Sequence, residues 1–151
     1  KPVEGDWNGS GLHSNFSTEA MRNPETGMDN INDACRLLSE RTGEHLDAYG
    51  YGLERRLTGV HETASYEEFT WGVSDRGASV RIPWHVEKND GGYIEDRRPN
   101  SNADPYQVLN VLLETLCSKK GSMPSITVDS EEVTLDQAKK ILAEQGKVVI
   151  E

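Results

Sequence analysis

Six of the nine arginines in this 151-residue chain lie between residues 50 and 98. The chain as a whole carries a formal charge of -10 at pH 7, so the cluster is not part of a general basic surface for polyanions. A guanidinium group donates two parallel hydrogen bonds to a phosphate or carboxylate and keeps its charge. The spacing therefore predicts a local site for a ligand with several anionic oxygens. The six arginines are Arg55, Arg56, Arg76, Arg81, Arg97 and Arg98.

The stretch at residues 92–97 adds other chemical groups to these arginines. In an extended strand alternate side chains share a face, which places Tyr93, Glu95 and Arg97 together. That face offers an aromatic ring for a base, a carboxylate for a hard cation and a guanidinium for a phosphate. The alternative is an exposed strand with cross-strand ion pairs, which is the better interpretation of any single arginine. Six arginines among glycines, beside this carboxylate and tyrosine, favour a site.

Two further side chains have chemistry that the spacing alone leaves open. His13 would share a strand face with Asn15 and Ser17, and a neutral imidazole nitrogen can bind a metal. A lone histidine is nevertheless more often a satisfied structural residue. Glu62 lies in a segment that resembles a mobile loop, where a carboxylate can act as a base or gate, but a solvated acid is the default interpretation.

Composition limits the class of protein. Hydrophobic residues make up 34% of the chain and its mean hydropathy is -0.69. This is lean for a self-sufficient domain and favours a piece that packs against other chains or a missing half. Without an apolar run of 18 residues no membrane span is expected. The negative charge argues against nucleic acid as a partner. Cys35 and Cys117 lie in apolar helical patterns and are expected to be buried free thiols in a reducing cytoplasm.

The periodicity predicts an α+β fold in which a curved antiparallel sheet is backed by helices. Alternating segments at 68–73, 78–83 and 92–97 predict strands, and the turn residues at 89–92 predict a hairpin. An apolar stripe predicts a helix over 28–49, broken near Gly43 and ended by Gly50. Asp104 and Pro105 are typical of a helix N-terminus, and the helix is expected to reach residue 117. Its buried side is expected to carry Val108, Leu109, Leu112, Leu113 and Leu116.

The chain changes character after residue 117. Residues 118–125 have the composition of a linker. Ile126 and Val128 predict a short strand, residues 134–145 an amphipathic helix and residues 148–150 a final strand. The predicted organisation is therefore a main unit at 1–117, a linker at 118–125 and a strand-helix-strand appendix of unknown role at 126–151.

Residues 3 to about 117 resemble a known enzyme family through several long motifs in order. The chain is identified as similar to the C-terminal part of the catalytic domain of glutamine synthetase, of the eukaryotic type (class II). The resemblance covers most of this chain but less than half of a family chain. The matching stretches are GDWNGSGLHSNFSTEAMR, AYGYGLERRLTGVHETAS, GVSDRGASVRIP and GYIEDRRPNSNADPY.

The resemblance implies an ATP-dependent ligation of ammonia to glutamate. The side-chain carboxylate of glutamate attacks the γ-phosphate of ATP, and ammonia then displaces phosphate from γ-glutamyl phosphate to give glutamine. Two divalent cations, Mg or Mn, are expected to neutralise the reacting groups, since phosphoryl transfer depends mainly on positioning and charge. The family also implies a cytoplasmic, ring-forming homo-oligomer without nucleic-acid or membrane partners.

The motifs assign roles to individual residues. The resemblance implies that His13 and Glu95 bind the metal that bridges the ATP phosphates. Glu62 would lie on the flap that closes over glutamate and excludes water. Arg98 is expected to support the site. The implied nucleotide-binding residues are Asn15, Ser17, Arg76, Arg81 and Tyr93; the implied substrate-binding residues are Asn8, Gly9, Arg56 and Arg97; and the implied catalytic residues are Glu62, Arg76 and Arg97.

The chain also departs from the family pattern. In the family, most metal ligands are glutamates in the first half of the chain, and a small N-terminal domain completes each site from a neighbouring subunit. The 151 residues contain no counterpart of those glutamates or of that domain. The expected function is thus an incomplete half-site that is inactive alone. One alternative is a non-catalytic module that binds ATP and metal. The other is a related ligase that joins another amine to glutamate, against which Arg56, Glu62, Arg76 and Arg97 argue.

Overall fold

A computed structural model describes residues 5–6, 8–117, 126–128 and 131–133. It divides the chain into two units, Lys1–Leu116 and Cys117–Glu151. The described part of the second unit is a pair of antiparallel strands, of which the first, Ile126–Val128, matches the expected strand and the second, Glu131–Val133, was not predicted. The helix and strand predicted over 134–145 and 148–150 lie outside the described residues. The assigned domain boundaries and roles stay predictions.

A four-stranded mixed sheet organises the first unit, which confirms the α+β class. Its strands, each inside a segment where a strand was expected, are β1 (Ser14–Phe16), β2 (Trp71–Val73), β3 (Val80–Ile82) and β4 (Ile94–Asp96). The spatial order is β1-β4-β3-β2, and β4 pairs antiparallel with both of its neighbours. One pairing differs from the expected antiparallel sheet, because β2 and β3 run parallel. Strands of three residues span only about 10 Å, so the loop between them is long enough to return to the start of the strand.

Among the described residues, four α-helices accompany the sheet: α1 (Gly27–Glu40), α2 (Thr42–Ala48), α3 (Trp84–Lys88) and α4 (Pro105–Leu116). The predicted hairpin at residues 89–92 is wrong, because α3 lies between β3 and β4 and starts directly after Pro83. A proline suits the start of α3, because the backbone N–H groups there have no partner within the helix and the missing N–H of Pro83 therefore costs no helical hydrogen bond. The predicted long helix breaks at Arg41, two residues before Gly43, and Gly50 follows it with a φ of +95°.

The core lies between the inner face of the sheet and the helices. Val80, Ile82 and Ile94 point into it, and they meet the predicted apolar stripe of α1. Cys35 is part of that stripe, and burial raises the pKa of its thiol to about 12. Cys117 is exposed, contrary to the expectation, because it follows the last turn of α4. On α4 the predicted burial of Val108 and Leu112 is confirmed, whereas Leu109 and Leu113 are exposed, because the buried face of this helix continues through Val111 and Thr115.

A buried polar chain connects β4 to α2 and α4. Arg98 donates from Nε to Asp96 Oδ1 at 2.9 Å and from Nη2 to Asp96 Oδ2 at 2.6 Å, and both side chains are almost fully buried. The Tyr49 hydroxyl donates to Asp96 Oδ2 at 2.6 Å. His45 contacts the Tyr49 oxygen through Nδ1 at 2.6 Å and Thr115 Oγ1 through Nε2 at 2.8 Å. Since the single hydroxyl proton of Tyr49 is used on Asp96, Nδ1 of His45 must donate and Nε2 must accept.

The buried surroundings of His45 keep its imidazole ring neutral. Burial, followed by the charge of Arg98, lowers the pKa of His45 from 6.5 to about 4. Below pH 6.5 the unfolded chain binds a proton that the folded protein does not. The free energy of unfolding must then fall as the pH decreases from 6.5 to 4, by up to about 1.4 kcal/mol per pH unit from this one residue.

Urea unfolding at pH 7.5, 6.5 and 5.5 tests this dependence. We expect the wild type to lose stability steeply over this range and His45→Gln to lose it less steeply, even if the variant is less stable at pH 7.5. Any contribution from other groups is common to both proteins, so the difference in slope isolates His45. Equal slopes would show that His45 is not held neutral by the fold.

Candidate active site on the polar face of the sheet

Strand register brings three predicted site residues into one row. Asn15 on β1 pairs with Glu95 on β4, and Glu95 pairs in turn with Arg81 on β3. Directly opposed residues project from the same face of a sheet. This face is opposite to the one that buries Ile94 and Asp96, so the expected alternation along residues 93–98 is present.

Glu95 lies at the centre of a group of basic side chains. Its Oε1 is 3.2 Å from Nδ1 of His13, and its Oε2 is 2.5 Å from Nε of Arg81. Arg97 places Nη1 at 3.4 Å from both carboxylate oxygens. The side chain of Glu95 is 10% exposed, so these contacts form in a partly desolvated region where charge interactions are stronger than in water. The structure therefore brings the two predicted metal ligands and two predicted anion-binding arginines together.

The site contains more positive than negative charge. Two permanent guanidinium charges, those of Arg81 and Arg97, face the single carboxylate of Glu95. Within the described residues, the buried Nε of Arg97 has no hydrogen-bond partner. Nε of Arg81 is close to Glu95 but does not meet hydrogen-bond geometry, so this contact is an ion pair and leaves the donor unaligned. Unused arginine donors within a group of net positive charge suit an anionic ligand.

His13 has the protonation state that a metal ligand needs. Burial and the charge of Arg97 lower its pKa below 6.5 and outweigh the opposite effect of Glu95, so the imidazole is neutral at pH 7. A neutral imidazole and a carboxylate are both ligand types for divalent cations. The described residues contain no group of three or more potential metal-binding His, Cys, Asp or Glu side chains. His13 and Glu95 thus fit part of a coordination shell, and the other oxygen ligands must come from elsewhere.

The loop after the double arginine joins the three predicted catalytic residues. Nη2 of Arg97 donates to the backbone oxygen of Glu62 at 3.1 Å, and Nη1 of Arg76 lies 3.5 Å from Glu62 Oε1. His61 and Glu62 have φ angles of 57° and 58°, in the left-handed region. Each such non-glycine residue costs on the order of 1 kcal/mol, and strain of this kind concentrates at active sites and switch regions.

Two predicted nucleotide-binding residues extend the polar face beyond Glu95. Tyr93 is half-buried, and its ring packs against His85 with 5.6 Å between the centroids. The hydroxyl of Ser17 donates to the backbone oxygen of Gly92 at 2.7 Å. Tyr93 lies two residues before Glu95, directly before β4, and Ser17 lies two residues after Asn15, directly after β1.

The predicted substrate-binding residues fall into two environments. Asn8 is exposed. Arg56 is buried, and its guanidinium donates to Asn100 Oδ1 at 2.6 Å and to successive backbone oxygens of residues 97–99. Asn100 was not predicted, and no spacing rule would have found it because its partner is 44 residues earlier in the chain.

Comparison with curated proteins shows which proteins this chain is similar to. The chain is 58% identical to the glutamine synthetase of Streptomyces viridochromogenes over 120 residues, which is 78% of this chain and 34% of that protein. It is 54% identical over 115 residues to the cytosolic glutamine synthetase isozyme 1-5 of Arabidopsis thaliana, covering 76% and 32% of the two chains. The chain belongs to the glutamine synthetase family. A chloroplastic glutamine synthetase of Daucus carota is 48% identical over 136 residues, covering 90% and 31%.

The match to glutamine synthetase is confined to one region of these relatives. The chain spans about a third of their length, in their C-terminal part. No family model matches the chain. The cytosolic and chloroplastic names of relatives leave cytoplasmic location a prediction. In the described part of the chain, no helix is long and apolar enough to cross a membrane.

The charge balance of the site predicts that Glu95 stabilises the ligand-free fold. In Glu95→Gln, the cationic groups around this position lose their carboxylate, so we expect the free energy of unfolding to fall by about 2 kcal/mol. Glu62→Gln is the matched control, because its side chain is 60% exposed and we expect a change within about 0.5 kcal/mol. Urea unfolding at pH 7.5 measures both. Similar values for the two variants would mean that Glu95 is not the counter-ion of the group.

Proposed function

We propose that this chain provides part of the active site of an ATP-dependent ligase that joins ammonia to glutamate. The observation that carries the proposal is the placement of Glu95 among His13, Arg81 and Arg97 on one face of the sheet. The family membership supports it, since the relatives are named glutamine synthetase. The reaction is the transfer of the γ-phosphoryl group of ATP to the glutamate side chain, followed by displacement of phosphate by ammonia.

The arginines act on the phosphates in this proposal. Arg81 and Arg76 hold the transferred group and neutralise the charge that develops on its oxygens, which is the main protein contribution to phosphoryl transfer. Asn15 and Arg81, which we propose to bind the nucleotide, lie on the two sides of Glu95 in the row across β4. Ser17 and Tyr93 extend the same face and hold the sugar and base.

Glutamate binds beside this row. The guanidinium of Arg97 donates to a carboxylate of glutamate, and Asn8 and Gly9 hold the amino-acid end. The backbone oxygen of Glu62 accepts a hydrogen bond from Arg97, which keeps the Glu62 loop next to the substrate site. In this position the loop closes over the substrate and keeps water from the acyl phosphate. Arg56 stays a predicted substrate-binding residue, although Nε and Nη2 of its guanidinium are occupied by the protein.

Divalent cations complete the charge balance of the proposed site. His13 and Glu95 would hold a Mg or Mn ion. When bound, the ion supplies neutralisation of the phosphate oxygens. Phosphates, water and residues of other polypeptide segments would provide the remaining ligands.

The site is proposed to be completed by polypeptide outside these 151 residues. In the described sheet, β1 and β2 are edge strands with one neighbour each. Tyr106, Leu109 and Leu113 expose apolar surface along α4. Open edges and exposed apolar stripes are typical of surfaces that another segment or subunit covers. We therefore propose that the chain is inactive alone, and that it works within a cytoplasmic homo-oligomer or with an N-terminal half.

The test is glutamine formation from glutamate, ammonia and ATP-Mg. We expect no activity from the chain alone and activity after addition of the N-terminal part of the Streptomyces viridochromogenes relative. Glu95→Ala should abolish that activity, whereas Glu67→Ala, in an exposed position, should not. Activity of the chain alone that is lost in Glu95→Ala would support the reaction and refute the half-site. Activity that survives Glu95→Ala would refute the assigned site.

A second candidate function is a module that binds ATP and metal without turnover. The absence of turnover is favoured by the described residues, which contain no group of three or more potential metal ligands. Nucleotide binding with no glutamine formation in the reconstituted mixture would support the module. Turnover with a primary amine but not with ammonia would instead indicate a related glutamate-amine ligase.

A further inference from the structure

Arg56 makes most of its hydrogen bonds to one short segment, residues 97–100. The residue is 3% exposed and follows the single helical turn Leu53–Arg55. Its Nη2 contacts the backbone oxygens of Arg97 at 3.0 Å, Arg98 at 2.5 Å and Pro99 at 3.0 Å. Its Nε donates to the side chain of Asn100 at 2.6 Å. One guanidinium group therefore gathers four consecutive residues.

The chemistry of these contacts is unusual for a buried cation. Within the described residues, Arg56 has no carboxylate at ion-pair distance, so backbone dipoles and the Asn100 amide replace a counter-ion. Burial, followed by the charge of Arg97, lowers the pKa of Arg56 to about 10, which leaves it charged at pH 7. A lysine could not reproduce the arrangement, because its ammonium is a point charge on a flexible stem and not a planar fork.

Arg56 also lies directly against the segment that carries the predicted glutamate-binding backbone. A Cβ atom at Gly9 would be 2.6 Å from Cγ of Arg56, and one at Gly11 would be 3.0 Å from Nη1 of Arg56. At Gly9, the close approach of the Arg56 side chain leaves no room for a Cβ atom unless Arg56 moves. The same segment is hydrogen-bonded to the Arg56-bound residues, since Leu12 donates to the oxygen of Pro99 at 2.9 Å.

We propose that Arg56, besides its predicted contact with glutamate, is a positioning residue that acts on the site through Arg97. By fixing the backbone of residues 97–100, it directs the guanidinium of Arg97 toward Glu95 and the Glu62 loop. The consequence for glutamate binding rests on the proposed function, because it requires Arg97 to bind the substrate. The contacts of Arg56 with residues 97–100, here called the Arg56 clamp, do not depend on that function and can be tested without substrate.

Nuclear magnetic resonance of the ligand-free 151-residue chain provides the test. In Arg56→Lys, we expect the Nε–H signal of Arg97 to shift and broaden, because its backbone is no longer held. We also expect the amide exchange of Leu12 and Asn100 to accelerate about tenfold. Arg55→Lys is the matched control, since Arg55 is adjacent, its side chain is 67% exposed and its ion-pair contact with Glu54 is long, at 3.8 Å. It should leave both measurements unchanged.

A second pair of variants approaches the clamp from the opposite side. Gly9→Ala places a methyl group against Arg56 and should produce the same changes at Arg97. Gly43→Ala is its control, because a Cβ at that position meets no atom within 4 Å. This pair keeps the proposal testable if Arg56→Lys does not fold.

The outcomes separate positioning from direct substrate binding. A residue that only contacts bound glutamate would leave the ligand-free signal of Arg97 and the exchange rates at their wild-type values in both test variants. That result would overturn the proposal. If Arg97 responds as expected while the reconstituted mixture makes no glutamine, the clamp is supported and the proposed function fails instead.

Discussion

The alternation of side chains along β4 is the constraint on which the rest of the structure depends. Glu95 points to the polar face and meets three cationic or imidazole groups, whereas Asp96 points inward and is fully buried. A slip of one residue would exchange the two faces, burying Glu95 without its partners and exposing Asp96. The bidentate pair between Asp96 and Arg98 makes such a slip costly, because an unpaired buried charge destabilises a fold strongly.

The inner face anchors the strand that the outer face uses for chemistry. Tyr49 and His45 connect Asp96 to α2, and Thr115 extends the connection to α4. The rings of Tyr49 and Phe69 also enclose the guanidinium of Arg98, at 5.2 and 4.8 Å from its carbon. A satisfied buried network of this kind rigidifies its surroundings. The strand that carries the proposed phosphate-binding face is therefore fixed on its opposite face by α2 and α4, which contribute no residue to the site.

Sequence reasoning found the features that depend on local periodicity. The period of two along a strand predicted that Tyr93, Glu95 and Arg97 share a face, and the apolar repeat predicted the buried side of α1. It missed contacts between distant parts of the chain, such as that of His45 with Thr115, because spacing carries no information about them. The hairpin at residues 89–92 was predicted from turn residues that in fact follow α3. The direction of the Arg56 side chain also depended on backbone oxygens that only the fold brings together.

We expect the face around Glu95 to bind a divalent cation together with phosphates. Titration of Mn²⁺ into the 151-residue chain, followed by electron paramagnetic resonance with and without ATP, measures this binding. Mn²⁺ alone should bind weakly, and it should bind more tightly with ATP because the phosphates supply missing ligands. In Glu95→Gln the ATP-dependent increase should be lost; an equal increase in this variant would show that Glu95 does not hold the cation.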